Sequence, residues 1–310
     1  MTLALICSGQ GPQHAGMFAV TGEAAAASSL FDRAGALLGG RDPRALVRGD
    51  APDIHANRTG QVLCTLQAVA ALAALPELAR GRRIVLGYSV GEVGAWAAAG
   101  LIAPEAALDL AVERARAMDA ASDPGDGLLF VRGLPRAAVD ALCREHGGAV
   151  AIVNPGDAVV LGGSAAALDA LAAGAEAAGA GRVRRVGVAV ASHTPKLAPA
   201  ASAFRAALDG FAAAPPVPAG VRLLAGIDAA PVIDVADGRD RLARQISTTI
   251  RWADCLAAAV EAGATAVLEL GPGRALAEMA GSAHSEVPAR SLDDFRSVSG
   301  VRDWLSRVGV

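Results

Sequence analysis

The sequence predicts an α/β protein, a parallel sheet with crossover helices that carries a small inserted domain. Three observations predict it. Short apolar runs alternate with longer helical stretches over most of the 310 residues, the pattern of strands joined by crossover helices. Two of those runs end in glycine turns of the kind that close a strand. Between about residues 127 and 188 the order changes to strand, helix, strand, strand, helix, strand. The length suits one large domain with an insertion, because domains run roughly 100–200 residues.

In chain order, residues 3–7 (Leu-Ala-Leu-Ile-Cys) form an apolar strand closed by Ser8-Gly9-Gln10-Gly11. Residues 83–87 form a second strand, which ends in Gly87-Tyr88-Ser89-Val90-Gly91. A helix over 92–99 follows, with Gly100 placed as its C′ cap. The inserted unit reads as strands over 128–132, 149–154, 158–162 and 183–187 with helices over 135–146 and 164–179. Pro155-Gly156-Asp157 supplies its middle turn. That order is the ferredoxin-like arrangement, and the turn-formers at 122–126 mark where it begins. Strands over 221–225, 266–270 and 287–291 return the chain to the larger sheet. The expected organisation is a core of residues 1–126 and 189–310 with an insertion over 127–188.

Composition excludes several function classes. The net charge of −3 offers no general attraction for nucleic acid or anionic lipid. No apolar run reaches the ~18 residues of a membrane helix. The first residues lack the basic start of a secretory signal. Cys7, Cys64, Cys143 and Cys255 lie far apart without metal-ligand or redox spacing, so reduced thiols and a cytoplasmic location are expected, with no metal site.

The chemistry-bearing positions begin at Ser89. Gly87-Tyr88-Ser89-Val90-Gly91 fits G-x-S-x-G between a strand and a helix, the context in which a sharp turn exposes a nucleophilic serine. The helix N-terminus below it adds partial positive charge, and the Val90 N–H can face a developing oxyanion. The Ser8–Gly11 turn is no phosphate loop, since no Gly-Lys-Ser/Thr follows, and His14 stands where a dinucleotide loop needs its third glycine. A backbone N–H from this turn could complete an oxyanion hole beside Val90. On a helix over 104–118, Glu105, Asp109, Glu113 and Arg116 share one face. Arg114 falls in the middle of the apolar stripe opposite. Such an arginine is either structurally paired or snorkelling, or it awaits an anionic substrate, best of all a carboxylate. Among five histidines, His193 stands at a strand–helix junction in Ala191-Ser192-His193-Thr194-Pro195, where α/β sites collect. It is the candidate general base for Ser89. No acidic residue nominates itself as a third member, which leaves room for a dyad oriented by a backbone carbonyl. Arg182, Arg184 and Arg185 are either a solvated face or a surface for an acidic partner.

Taken together, these motifs resemble the malonyl-CoA:acyl-carrier-protein transacylase family. Gly9-Gln10-Gly11-Pro12-Gln13 resembles its G-Q-G-x-Q, and Gly87–Glu92 resembles G-H-S-x-G-E. Arg114 in Glu113-Arg114-Ala115-Arg116-Ala117-Met118 resembles its conserved arginine, and Ser192-His193 its catalytic histidine. Arg244-Gln245-Ile246 with Ile250-Arg251-Trp252 resembles the segment whose glutamine carbonyl orients that histidine. Glu269-Leu270-Gly271-Pro272-Gly273 resembles its E-x-G-P-G. Tyr88 and Val90 depart from the family's usual histidine and leucine. The run from Cys7 to Phe18 together with Gly-Tyr-Ser-Val-Gly-Glu looks most like the epsilon subunit of malonate decarboxylase.

The resemblance implies an α/β-hydrolase-like core. It implies Ser89 as nucleophile, His193 as base, Gln10 and Val90 as oxyanion donors, Arg114 as carboxylate binder and Gln245 as the group that orients the histidine. It also implies ping-pong transfer of malonyl from malonyl-CoA to the phosphopantetheine or dephospho-CoA-type thiol of an acyl-carrier protein, with no bound cofactor. Other malonate decarboxylase subunits are the further partners it suggests. The competing expectations are a transacylase of fatty-acid or polyketide synthesis, a serine esterase or thioesterase, and a binding subunit without catalysis.

Overall fold

Strands among the described residues fall into two sheets of different character. The computed structural model describes residues 1–49, 52–211 and 215–309. In chain order the strands are β1 (Leu3–Cys7), β2 (Arg83–Gly87), β3 (Gly127–Arg132), β4 (Ala149–Val153), β5 (Ala158–Gly163), β6 (Arg182–Val186), β7 (Val221–Leu223), β8 (Ala266–Glu269) and β9 (Ala289–Ser291). The first sheet has the order β7-β2-β1-β8-β9, parallel throughout. β1, β2 and β8 are buried along their whole length, as parallel strands covered by helices on both faces must be. That is why Leu3–Cys7, Ile84–Leu86 and Ala266–Leu268 read in the sequence as apolar runs.

Register explains where the glycine turns end up. Parallel pairing sets Cys7 opposite Gly87, so the turns that follow β1 and β2 leave the same edge of the sheet side by side. A Cβ on Gly9 would lie 2.6 Å from the Tyr88 carbonyl oxygen, and a Cβ on Gly91 would overlap the Cys7 carbonyl. Only glycine permits the two turns and the helix Gly91–Ala98 to approach so closely. Gly100 ends that helix with φ +79°, as expected of a C′ cap.

The second sheet has the order β4-β5-β3-β6 and is antiparallel throughout. Its helices, Arg136–His146 and Ala165–Ala177, occupy the expected positions, and Ser164 caps the second through the Ala167 N–H. Strand alternation gives the sheet two faces. Leu129, Val131 and Leu161 pack with Leu168 and Leu171 into a core of their own. Leu128, Ile152 and Val160 join the main core from the other side. Val153 N–H donates to Ile250 O across the two units, and at the boundary the Lys196 ammonium bridges Asp123 and Asp126, where the chain leaves the core.

Several edges differ from the sequence reading. The strand expected over 183–187 runs over 182–186; it is an edge strand paired only to β3. The strand expected over 221–225 ends at Leu223, where the chain folds back and Leu224 bridges Pro231. The strand expected over 287–291 begins at Ala289, because Val287 N–H is used in a turn to His284 O and Pro288 has no N–H to give. No described helix is long and apolar enough to cross a membrane.

Candidate active site

A cleft of about 320 Å³ opens between the two sheets. Ser8–Pro12, Tyr88, Ser89 and His193 line one side, and Leu128, Phe130, Ile152, Val160 and Val186 line the other. Ser89 has φ 57° and His193 φ 61°. A left-handed conformation costs a non-glycine residue ~1–2 kcal/mol, and such strain persists where the surrounding structure over-determines it. Here both strained residues face one another. Ser89 Oγ lies 2.9 Å from His193 Nε2.

The histidine's other nitrogen settles the proton arrangement. His193 Nδ1 lies 2.6 Å from the backbone oxygen of Gln245. A carbonyl can only accept, so Nδ1 carries the hydrogen and Nε2 is left to accept from the serine hydroxyl. Burial and the nearby Arg114 charge push the imidazole down to about 3, so it is neutral at physiological pH. No carboxylate stands at Nδ1; the pair is a dyad held by main chain.

Arg114 is fully buried in the helix Pro104–Ala120 and does not itself line the cleft; it reaches the Ser89–His193 pair through Gln245. Among the described residues its hydrogen-bond acceptors are neutral: Gln61 Oε1 at 2.8 Å, Gln245 Oε1 at 3.1 Å and Met118 Sδ at 3.2 Å. Among the described residues its Nε has no hydrogen-bond partner. Desolvation lowers the guanidinium to about 10, opposed by the field of Glu92. The sequence left open whether this arginine was paired; the structure shows a buried cation on amide oxygens.

Gln245 joins these groups. Its backbone oxygen holds His193, its Oε1 accepts from Arg114, and its Nε2 donates to Ser89 O at 2.9 Å and to Glu92 Oε2 at 2.6 Å. Glu92 is buried, and desolvation raises its carboxyl to about 7. The Gln10 and Val90 main-chain N–H groups flank Ser89, one on each turn. Among the described residues neither donates to a protein acceptor.

Other members of the site gave weaker sequence signals. Gln61 sits in the nearly all-buried helix Asn57–Ala74, where a polar side chain among apolar neighbours was the available clue. Glu269 accepts from Ser8 Oγ at 2.8 Å and from Ala277 N–H at 2.8 Å, joining the first glycine turn to the helix Ala275–Ala283; desolvation raises it to about 8. Tyr88 packs edge-on against Trp252 at 5.3 Å, and burial raises its phenol to about 12. Of the three arginines on β6, Arg185 pairs with Asp169 and Arg184 lines the cleft.

The chain belongs to the acyl transferase domain family, whose model matches residues 4–288. Its relatives carry narrower names. The malonyl CoA-acyl carrier protein transacylase of Mycobacterium tuberculosis (strain ATCC 25618 / H37Rv) is 35% identical over 232 residues, 74% of this chain and 75% of that one. The transacylase of the same name from Haemophilus influenzae is 28% identical over 315 residues, 97% and 98% of the two chains. Among solved structures, an acyl-carrier-protein S-malonyltransferase from Burkholderia pseudomallei superposes with a TM-score of 0.88 at 29% identity, covering 99% of this chain and 100% of that one. A malonyl-transacylase in complex with its type II PKS acyl-carrier protein superposes with a TM-score of 0.88 at 25% identity, covering 99% and 100%.

Proposed function

We propose that this acyltransferase carries malonyl from malonyl-CoA, through an ester on Ser89, to the prosthetic thiol of an acyl-carrier protein. The observation that carries the reading is Gln245, one residue that touches Ser89, His193 and Arg114. It fixes a nucleophile–base pair and a buried cation around one point.

In this mechanism the acyl carboxylate exchanges for amide oxygen on the Arg114 guanidinium, an anionic acceptor replacing a neutral one. The thioester carbonyl then lies at Ser89. His193 Nε2 takes the hydroxyl proton as Oγ bonds to the carbonyl carbon, and the N–H groups of Gln10 and Val90 hold the oxyanion. The carbon–sulfur bond breaks, His193 returns the proton to the departing thiol of coenzyme A, and malonyl remains as the serine ester. A carrier thiol reverses these steps. The apolar wall of the cleft keeps bulk water from the ester. An acetyl group offers no anion to the buried cation, so discrimination against it follows. The esterase expectation needs an acidic partner for the histidine, and a backbone carbonyl stands in that position.

The carrier of malonate decarboxylase, bearing a dephospho-CoA-type thiol, is our proposed acceptor, supported by the Cys7–Phe18 run and by Tyr88 before the nucleophile. The second reading is a phosphopantetheine carrier of fatty-acid or polyketide synthesis, favoured by the names of the relatives, among them a polyketide synthase of Streptomyces halstedii that is 32% identical over 289 residues, 90% of this chain and 5% of the synthase. The other decarboxylase subunits are partners only under the first. Element order and antiparallel register support reading the small sheet as a ferredoxin-like insertion over 127–188, and the turn at Ser89 supports a hydrolase-like core over 1–126 and 189–310. Malonylated enzyme offered both purified carriers in competition decides between the acceptors. Transfer to the decarboxylase carrier is expected; exclusive transfer to the fatty-acid or polyketide carrier would overturn that assignment.

A further inference from the structure

Glu92 lies in the first turn of the helix Gly91–Ala98 and is 1% exposed. It takes no part in the transfer steps above. Its Oε2 accepts the Gln245 Nε2–H at 2.6 Å and the Gly226 N–H at 3.2 Å. A Cβ on Gly226 would stand 2.8 Å from that oxygen, so glycine there lets the carboxylate meet the main chain. The carboxamide of Gln245 has two hydrogens and one oxygen to place. The hydrogens go to Glu92 and to Ser89 O; the oxygen goes to Arg114.

We infer that Glu92 is a positioning residue that locks the Gln245 carboxamide in one orientation, oxygen toward Arg114, and so sets the guanidinium for the anionic end of the acyl group. This rests on the malonyl reading above. A turned amide would press its oxygen against the Glu92 carboxylate and the Ser89 carbonyl, and would aim N–H groups at a cation. Above pH about 7, where Glu92 is ionised despite its burial, the carboxylate can only accept, which makes it a one-way constraint, and the comparison is made at pH 8. Glutamine in its place can donate to Gln245 Oε1 and so permits the turned state, with nearly the same shape and volume. Because His193 is held by the backbone of Gln245 and not by its side chain, the lock acts on the arginine and leaves the nucleophile–base pair in place.

The test compares wild type, Glu92→Gln and Gly226→Ala, the last forcing the carboxylate aside while keeping its charge. Acylation rates with malonyl-CoA and acetyl-CoA are measured beside the rate of labelling by a neutral fluorophosphonate, which needs only the serine and its base. Glu92→Gln should lose about tenfold of the malonyl-over-acetyl ratio, a change worth ~1.4 kcal/mol. Fluorophosphonate labelling should stay within about twofold, and Gly226→Ala should shift the ratio in the same direction. With a wild type that accepts malonyl, unchanged selectivity in Glu92→Gln would overturn the assignment alone, as would loss of all three reactions in step. A wild type labelled by the phosphonate but inert to malonyl-CoA would overturn the substrate reading and this inference together. If Glu92→Gln does not fold, Gly226→Ala decides by the same ratio.

Discussion

Replacing Arg114 by alanine probes the buried cation. The change leaves Gln61 Oε1 and Gln245 Oε1 without their donor, and an unpaired buried acceptor costs ~1–3 kcal/mol. Against that, a guanidinium already destabilised by desolvation is removed, so the net loss of stability should be a few kcal/mol at most. The effect on chemistry should be larger and selective. Truncating one partner of a buried charge-assisted pair costs ~2–5 kcal/mol, which is a fall of roughly 30-fold to a few thousand-fold in kcat/KM for malonyl-CoA. Acetyl-CoA makes no such pair and should be little affected. Stopped-flow acylation with the two donors, on enzyme whose folding is checked by circular dichroism, measures both. An unchanged malonyl-over-acetyl ratio, or an equal fall with both donors, would refute the role given to Arg114.

Further outcomes follow from the packing and the buried acids. Gly91→Ala places a methyl against the Cys7 carbonyl, backbone against backbone, and should cost about 3 kcal/mol or more in urea unfolding. Asp126→Asn weakens the clasp in which one oxygen meets Lys196 and the other the Asp123 N–H; a loss of ~1–3 kcal/mol is expected in the same assay. Stability should also fall with rising pH. Glu92 at about 7 and Glu269 at about 8 keep protons that the unfolded chain sheds near 4.5, while His193, lowered to about 3 from 6.5, works in the opposite sense chiefly below 6.5. From pH 6.5 to 8 the glutamates dominate and the net loss should be about 2 kcal/mol. Glu269→Gln should remove most of that slope; a slope that persists would show that Glu269 titrates normally.

What could be read from the sequence divides along physical lines. β1 and β2 were legible because a strand buried on both faces needs an apolar run, and because each ends where glycine alone fits. Ser89 was legible from its turn. Arg114 was visible as a charge on an apolar stripe, yet its partners were not, since Gln61 and Gln245 stand 53 and 131 positions away and only the fold brings them in. Glu92 showed itself only as the last letter of a motif; its bond to Gln245 spans 153 positions. The ends of β6, β7 and β9 escaped because an edge or short strand stops where pairing stops, and pairing partners lie elsewhere in the chain.

The proposed function requires Ser89 to take up a malonyl group whose carboxylate Arg114 holds. Intact-protein mass spectrometry after brief exposure to malonyl-CoA tests it most directly, with peptide mapping to locate the adduct. One malonyl group on Ser89 is expected, absent from Ser89→Ala and discharged when an acceptor carrier is added. An unmodified wild-type chain, or an adduct that survives in Ser89→Ala, would contradict it.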